Sequence, residues 1–172
     1  MTQKSRARPQ NRHDMLPLTL ALYQPDIPQN AGTMLRLCAC LGVDAAIIGP
    51  AGFPTSDRHF RRAGMDYLDD VTISRHASFA AFEDWRKQDV ADAGRRRLIL
   101  LSTRAPADYA DCAFRPGDVL MVGRESAGVP DEVYDAADLI VRIPMRPGLR
   151  SLNVAMAAAI VIGEATRQLR RA

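Results

Sequence analysis

Short apolar runs alternate with segments of helical period along this chain. Leu18–Tyr23 (LTLALY) is an apolar run of strand length, closed by Pro25 and Pro28. In Asn30–Leu41 the apolar residues Met34, Leu37, Cys38 and Leu41 fall at i, i+3, i+4 and i+7, predicting a helix that stops at Gly42. Ala45–Ile48 predicts a second buried strand, followed by a short basic helix around Ser56–Ala63 and a weaker strand near Val71–Ser74. Ser78–Val90 is predicted helical, with Ser78 as N-cap and Phe79, Phe82 and Trp85 toward one face. Leu98–Leu101, Val119–Val122 and Leu139–Ile143 predict three more strands, with a helix over Pro130–Ala136 between the last two. Leu152–Arg170 is the longest predicted helix, and its first half is apolar nearly all round, as suits burial in the core or against a second subunit. Strands alternating with helices specify a single α/β domain with a mostly parallel sheet.

Composition changes this picture in one place. The 172 residues hold 23 Lys+Arg and 20 Asp+Glu, a formal net charge of +3. Residues 1–17 contain Lys4, Arg6, Arg8 and Arg12 against Asp14 alone, so they carry the whole excess, and the remainder is formally neutral. This stretch reads as a flexible basic arm ahead of a domain spanning residues 18–172. No apolar run reaches the ~20 residues of a membrane span, and the arm lacks the apolar core of a secretory signal, so the expected location is cytoplasmic. Cys38, Cys40 and Cys112 make no C-x-x-C pair, and the three histidines are scattered, so structural thiols and no metal are expected.

In parallel α/β sheets, ligands bind beyond the carboxyl ends of the strands. Three segments there combine Gly or Pro with hydrogen-bonding side chains: Leu101-Ser102-Thr103, Gly123–Pro130 (GRESAGVP) and Ile143–Asn153 (IPMRPGLRSLN). Gly123 and Gly128 have the glycine spacing of a P-loop, but Val129-Pro130 stands where Lys-Ser/Thr is required. Neither G-x-G-x-x-G nor G-x-S-x-G occurs, which argues against a Rossmann dinucleotide site and a hydrolase elbow. The loops suit an uncharged or zwitterionic ligand held by backbone groups. Ser151 and Asn153 are placed to cap the last helix while facing that ligand. Asn30 is a candidate cap of its own helix, alone or while also touching the substrate, and Glu125 a partner of Arg124 or a neighbour, or a support for the ligand or substrate.

Ile27–Gly42 (IPQNAGTMLRLCACLG), Val122–Pro130 (VGRESAGVP) and Ile143–Gln168 (IPMRPGLRSLNVAMAAAIVIGEATRQ) resemble the three motifs of the SpoU class of RNA ribose 2′-O-methyltransferases, within the SPOUT superfamily. IGPAGF, RRAGMDY and VRIPM resemble its subfamily of small tRNA (cytidine/uridine-34) 2′-O-methyltransferases, and the likeness runs from about Leu18 to Gln168. The resemblance implies a deep trefoil knot at the C-terminus, S-adenosyl-L-methionine as cofactor, tRNA as substrate and a homodimer built on the first and last helices. It places the cofactor at Leu101, Gly123, Ile143 and Ser151, with Ser102, Glu125, Leu152 and Asn153 beside them. Arg124, Ala127 and Ala155-Met156 depart from the usual motif residues on the substrate side.

Arg36 matches the arginine to which the family assigns activation of the ribose hydroxyl. A guanidinium with a pKa above ~12 is a poor base, so the expected role is to orient the 2′-oxygen and a neighbouring phosphate and to stabilise developing oxyanion charge. Asn30, Arg58, Arg62, Arg146 and Arg150 are the expected RNA contacts, and 21 of the 23 basic residues are Arg, whose fork suits phosphates. The rival readings are methylation at another tRNA or rRNA site, a non-catalytic RNA-binding module of the same fold, and a generic nucleotide-binding protein. Deleting residues 1–15 is expected to weaken tRNA binding and lower its salt slope while leaving the methylated position unchanged. Filter-binding titrations across salt, with position mapping, check it. A shifted position or unaltered binding would refute an electrostatic arm.

Overall fold

The structure is a computed structural model that describes residues 16–54, 58–90 and 94–170. In chain order the elements are β1 (Leu18–Tyr23), α1 (Pro28–Leu41), β2 (Asp44–Ile48), α2 (Arg58–Gly64), β3 (Ile73–His76), α3 (Phe79–Arg86), β4 (Asp89–Val90), β5 (Gly94–Arg95), β6 (Leu98–Leu101), β7 (Ala107–Asp108), β8 (Asp118–Val122), α4 (Asp131–Asp135), β9 (Leu139–Arg142) and α5 (Val154–Leu169). Seven strands form one sheet in the order β3-β2-β1-β8-β6-β9-β7, and every pairing in it is parallel. β4 and β5 form a separate antiparallel ribbon.

Helices cover both faces, which is why the strands read as unbroken apolar runs. Side chains alternate: Leu18, Leu20 and Leu22 of β1 pack with α1 and α5, while Ala21 and Tyr23 point to the face covered by α3 and α4. Phe79, Phe82 and Trp85 share one face of α3, as their spacing predicts, with successive ring centroids 5.9 and 5.6 Å apart. Ser78 caps that helix by accepting from the Ala81 N–H. Cys38 and Cys112 are buried and Cys40 is exposed, all three as free thiols, and burial pushes Cys38 up to about 12.

α1 and α2 approach unusually closely, and Gly32 is the reason. A Cβ there would lie 2.5 Å from the Phe60 carbonyl oxygen and 2.7 Å from Ala63 Cβ. This contact holds α2 and the 3₁₀ turn Met65–Asp70 against α1, where the Arg36 guanidinium lies 5.0 Å from the Tyr67 ring centroid.

Several boundaries differ from the sequence pattern. β3 lies two residues later than expected. α3 stops at Arg86 rather than Val90, because Asp89 and Val90 pair with Gly94 and Arg95 instead. β7 was not anticipated; two residues carry no readable period. α1 starts at Pro28, whose missing N–H suits a first helical position. The basic arm lies, for residues 1–15, outside the described residues. Leu16 is buried, and its N–H donates to the Gly42 carbonyl at 2.8 Å. Among the described residues, no helix is long and apolar enough to cross a membrane.

Arg95–Arg97, a run of three arginines ahead of β6, anchors the amino end of the sheet. Arg97 holds Asp118 with two bonds of 2.8 Å, and Arg95 pairs with Asp138. Arg96 lies 4.2 Å above the Trp85 ring. Arg86 is 2% exposed and joins Glu83 to Asp138, the latter at 2.7 Å. The carboxylates of Asp118, which is buried, and Asp138, both invisible to local sequence reading, turn a solvated-looking arginine run into a structural clamp. Gly32→Ala tests the helix contact: it is expected to destabilise the protein by about 2 kcal/mol in urea unfolding. Unchanged stability would mean that α2 does not rest on α1.

Candidate active site

The loops that leave the carboxyl ends of β1, β6, β8 and β9 surround one cavity of about 720 Å³. The volume suits a cofactor-sized ligand, and the position is the one parallel sheets favour. Inserting β8 between β1 and β6 brings these loops together, although they are separated by up to 120 residues of chain.

Leu101, Ser102, Gly123 and Glu125 line the cavity, and so do Ile143, Ser151, Leu152 and Asn153. The eight residues expected at the cofactor are thus brought to one place, and Asn30 joins them. Gly123 is required by a close approach: a Cβ would sit 2.7 Å from the Gly128 carbonyl carbon. The turn is closed by Arg124 N–H donating to Gly128 O at 2.9 Å and Gly128 N–H donating to Arg124 O at 2.8 Å. Bare backbone therefore faces the cavity at Gly123.

A chain of hydrogen bonds runs across the rim. The Asn153 side-chain oxygen caps α5 by accepting from the N–H groups of Ala155 (2.9 Å) and Met156 (3.3 Å). Asn153 Nδ2 donates to Asn30 Oδ1 at 3.0 Å, and Asn30 Nδ2 donates to Glu125 Oε1 at 3.2 Å. The Asp26 N–H donates to Glu125 Oε2 at 3.2 Å, and the Glu125 N–H donates back to Asp26 Oδ1 at 3.1 Å. Ser126 Oγ also donates to Asp26. Bonding with Glu125, helped by Ser126, holds Asp26 down at about 2. Burial first, and the Asp26 side chain second, push Glu125 above the usual carboxylate range.

These bonds correct three expectations. Asn30 does not cap α1; Ile27 occupies that position without a side-chain bond, and the Asn30 amide is committed to Glu125 and Asn153. Ser151 does not cap α5, because Asn153 does. Glu125 pairs not with Arg124, whose Nε lies 3.7 Å from Asp26 Oδ2, but with the neighbours Asn30 and Asp26.

The arginines divide into two sets. Arg36 is exposed on α1, six residues or about 9 Å of helix axis beyond Asn30, and does not line the cavity. Arg58 and Arg62 are exposed on α2, and Arg146 and Arg150 on the loop after β9; none of the four lines it either. Among the described residues the cations that do are Arg104, Arg124 and Arg142, none of which the sequence singled out as a ligand contact. Arg104 lies 4.6 Å above the Tyr134 ring and 3.7 Å from Asp131, and Arg142 Nε is 2.9 Å from Asp108. Arg142 ends β9, and Arg104 and Arg124 stand just past the ends of β6 and β8, which was the available signal. Asp26 was also missed, because its partner is 99 residues away. Among the described residues no cluster of His, Cys, Asp or Glu could hold a metal ion.

The SpoU rRNA Methylase family matches residues 17–163. A tRNA (cytidine(34)-2′-O)-methyltransferase of Beijerinckia indica is 68% identical over 150 residues, covering 87% of this chain and 91% of the relative. A solved structure concerning the 2-OH methylation of C/U34 on tRNA superposes with a TM-score of 0.83 at 41% identity, covering 90% of this chain and 97% of the other. The SpoU methyltransferase AviRb of Streptomyces viridochromogenes, solved with AdoMet, has a TM-score of 0.83 at 27% identity, covering 92% of this chain and 62% of its own. For the rim, Asn153→Ala is expected to lose about 1 kcal/mol of stability through the missing cap, measured by chemical denaturation. Wild-type stability in that variant would contradict the capping role.

Proposed function

The chain belongs to the SpoU rRNA Methylase family, and from that membership we propose that it transfers a methyl group from S-adenosylmethionine to the ribose 2′-hydroxyl of the wobble nucleotide, cytidine or modified uridine 34, of tRNA. The observation that carries this reading is the convergence of the three motif segments on one cavity, in a chain 68% identical to a tRNA (cytidine(34)-2′-O)-methyltransferase.

The residues present fit S-adenosylmethionine. Leu101, Ile143, Leu152 and the bare Gly123 backbone offer apolar walls and close approach to a flat base, while Ser102, Ser151 and Asn153 offer hydrogen bonds. Glu125 supports the same wall. Arg104 and Arg142 bring positive charge to the lining for a ligand carboxylate. When bound, the cofactor supplies an electrophilic methyl on a sulfonium, a leaving group that needs no activation. The chain's task is then alignment of the hydroxyl and removal of its proton.

Arg36 serves as the orienting group for the 2′-oxygen and an adjacent phosphate. It stands off the cavity of its own protomer, which favours a site completed by assembly. The exposed apolar residues Ile27, Leu152, Met156 and Ile160 support a homodimer: Ile27 and Leu152 border the cavity, and Met156 and Ile160 continue along α5. Docking a second copy there would bury them and bring its α1 toward the cavity mouth. Arg58, Arg62, Arg146 and Arg150 hold RNA phosphates around it, with Asn30 facing the nucleotide. We further propose that the segments following β8 and β9 are threaded as a trefoil knot, as the family resemblance implies.

Labelled S-adenosylmethionine incubated with total tRNA, followed by nucleoside and position mapping, tests the assignment. Methyl at the 2′-oxygen of nucleotide 34 is expected, with binding that weakens steeply as salt rises. Arg36→Lys, which keeps charge but loses the fork, is expected to slow turnover about 100-fold. Label elsewhere in RNA would overturn the substrate, and near-normal turnover of the lysine variant would overturn the orienting role.

A further inference from the structure

Met145 and Ser151 line the cavity, while the five residues between them are all exposed and do not. They form a turn, closed by the Leu149 N–H donating to the Arg146 carbonyl oxygen at 3.3 Å. Pro147 and Gly148 hold its two central positions, with Gly148 at φ +87°, the pattern of a type II turn. Proline presets one backbone angle and glycine meets the other without strain, so the tip has its shape before any ligand arrives. A Cβ on Gly148 would meet nothing within 4 Å, so the tip stands clear of the fold. Leu149 sits there at 66% exposure, the highest of the large apolar side chains among the described residues. We propose that Leu149 is an RNA wedge, filling the place that nucleotide 34 vacates in the anticodon stack when its ribose enters the cavity. This rests on the methyl-transfer reading and deepens it, by saying how the nucleotide is made available.

A lone exposed leucine is ordinary on a protein surface, and its setting is what sets this one apart. Arg146 and Arg150 flank the tip on either side. Among the described residues no carboxylate pairs with them, whereas Arg104, Arg124 and Arg142 each lie within 3.7 Å of one. Two unengaged guanidinium forks around an apolar tip match an RNA strand, with phosphates outside and base faces between. Leu149 also stands off α5, the helix along which Met156 and Ile160 are exposed.

The chemistry supplies the need for such a group. In-line displacement requires the 2′-oxygen, the methyl carbon and the sulfur to lie on one line. A nucleotide stacked within its loop cannot bring its ribose into a cavity walled by three loops, so it must leave the stack. Its departure bares the face of the neighbouring base to water. An apolar side chain inserted at that step offsets the cost, as Leu, Ile and Met do where proteins pry base steps apart. Leucine carries no hydrogen-bonding group, so this wedge is indifferent to whether the departing base is cytosine or uracil.

The test combines tRNA carrying 2-aminopurine at nucleotide 34, whose fluorescence stacking quenches, with single-turnover methylation of unlabelled tRNA. Wild-type protein holding S-adenosylhomocysteine is expected to raise the fluorescence as the base leaves the stack. Leu149→Ala is expected to lose most of that rise and to slow methyl transfer about 10-fold. Its S-adenosylhomocysteine affinity in calorimetry and its mass in sedimentation are expected to match wild type. Leu149→Met, which returns the bulk, is expected to rescue much of both losses. An abasic site at nucleotide 35 removes the stacking partner, so on that tRNA the alanine variant is expected to keep pace with wild type. A full fluorescence rise and wild-type rate in Leu149→Ala overturn the wedge. So does a rate loss that persists on the abasic tRNA, or one that follows weaker cofactor binding or altered assembly. Wild-type protein that leaves nucleotide 34 unmethylated overturns the methyl-transfer reading itself, and the wedge falls with it.

Discussion

Asn30 stands between Glu125 and Asn153, giving its amide N–H to one at 3.2 Å and accepting from the other at 3.0 Å, and the site depends on that placement. Through this side chain the first turn of α1, the loop after β8 and the start of α5 become one unit, extended by Asp26 and Ser126. Each bond contributes about 1 kcal/mol net, but a half-buried carboxylate stripped of its donors costs more than any single bond returns. The network is therefore held together less by the strength of its links than by the penalty for breaking them.

That junction exists because of how the sheet is ordered. β8 lies between β1 and β6 although it follows both in sequence, so the loop ending β8 arrives beside the loop ending β1. Glycines then let backbone approach where side chains would collide: Gly123 against Gly128 at the cavity, and Gly32 against Phe60 and Ala63 where α2 meets α1. The same packing sets the 3₁₀ turn bearing Tyr67 under Arg36, tying a subfamily-like segment, RRAGMDY, to the helix that carries the candidate orienting arginine.

Much of this was legible in the chain itself. Apolar runs located the principal strands, and three loop segments after strands held the eight named residues that line the cavity. What could not be read locally depended on distant partners. Asp26 gains its meaning from Glu125, 99 residues on, and Arg95–Arg97 from Asp118 and Asp138 at the sheet's amino end. Asn30 looked like a helix cap because its position permits one; tertiary contacts claimed its amide instead. Two-residue strands such as β7 carry too little period to announce themselves, and the end of α3 was displaced by a ribbon whose pairing overrides the preceding helical pattern.

Chemistry at a single oxygen is the central claim, and removing that oxygen tests it most directly. A tRNA carrying a 2′-deoxynucleotide at position 34, compared with its ribonucleotide twin under labelled S-adenosylmethionine, isolates the acceptor without altering fold or charge of either partner. Stoichiometric label on the ribonucleotide tRNA and none on the deoxy form is the predicted result. Equal labelling of the two would contradict the account.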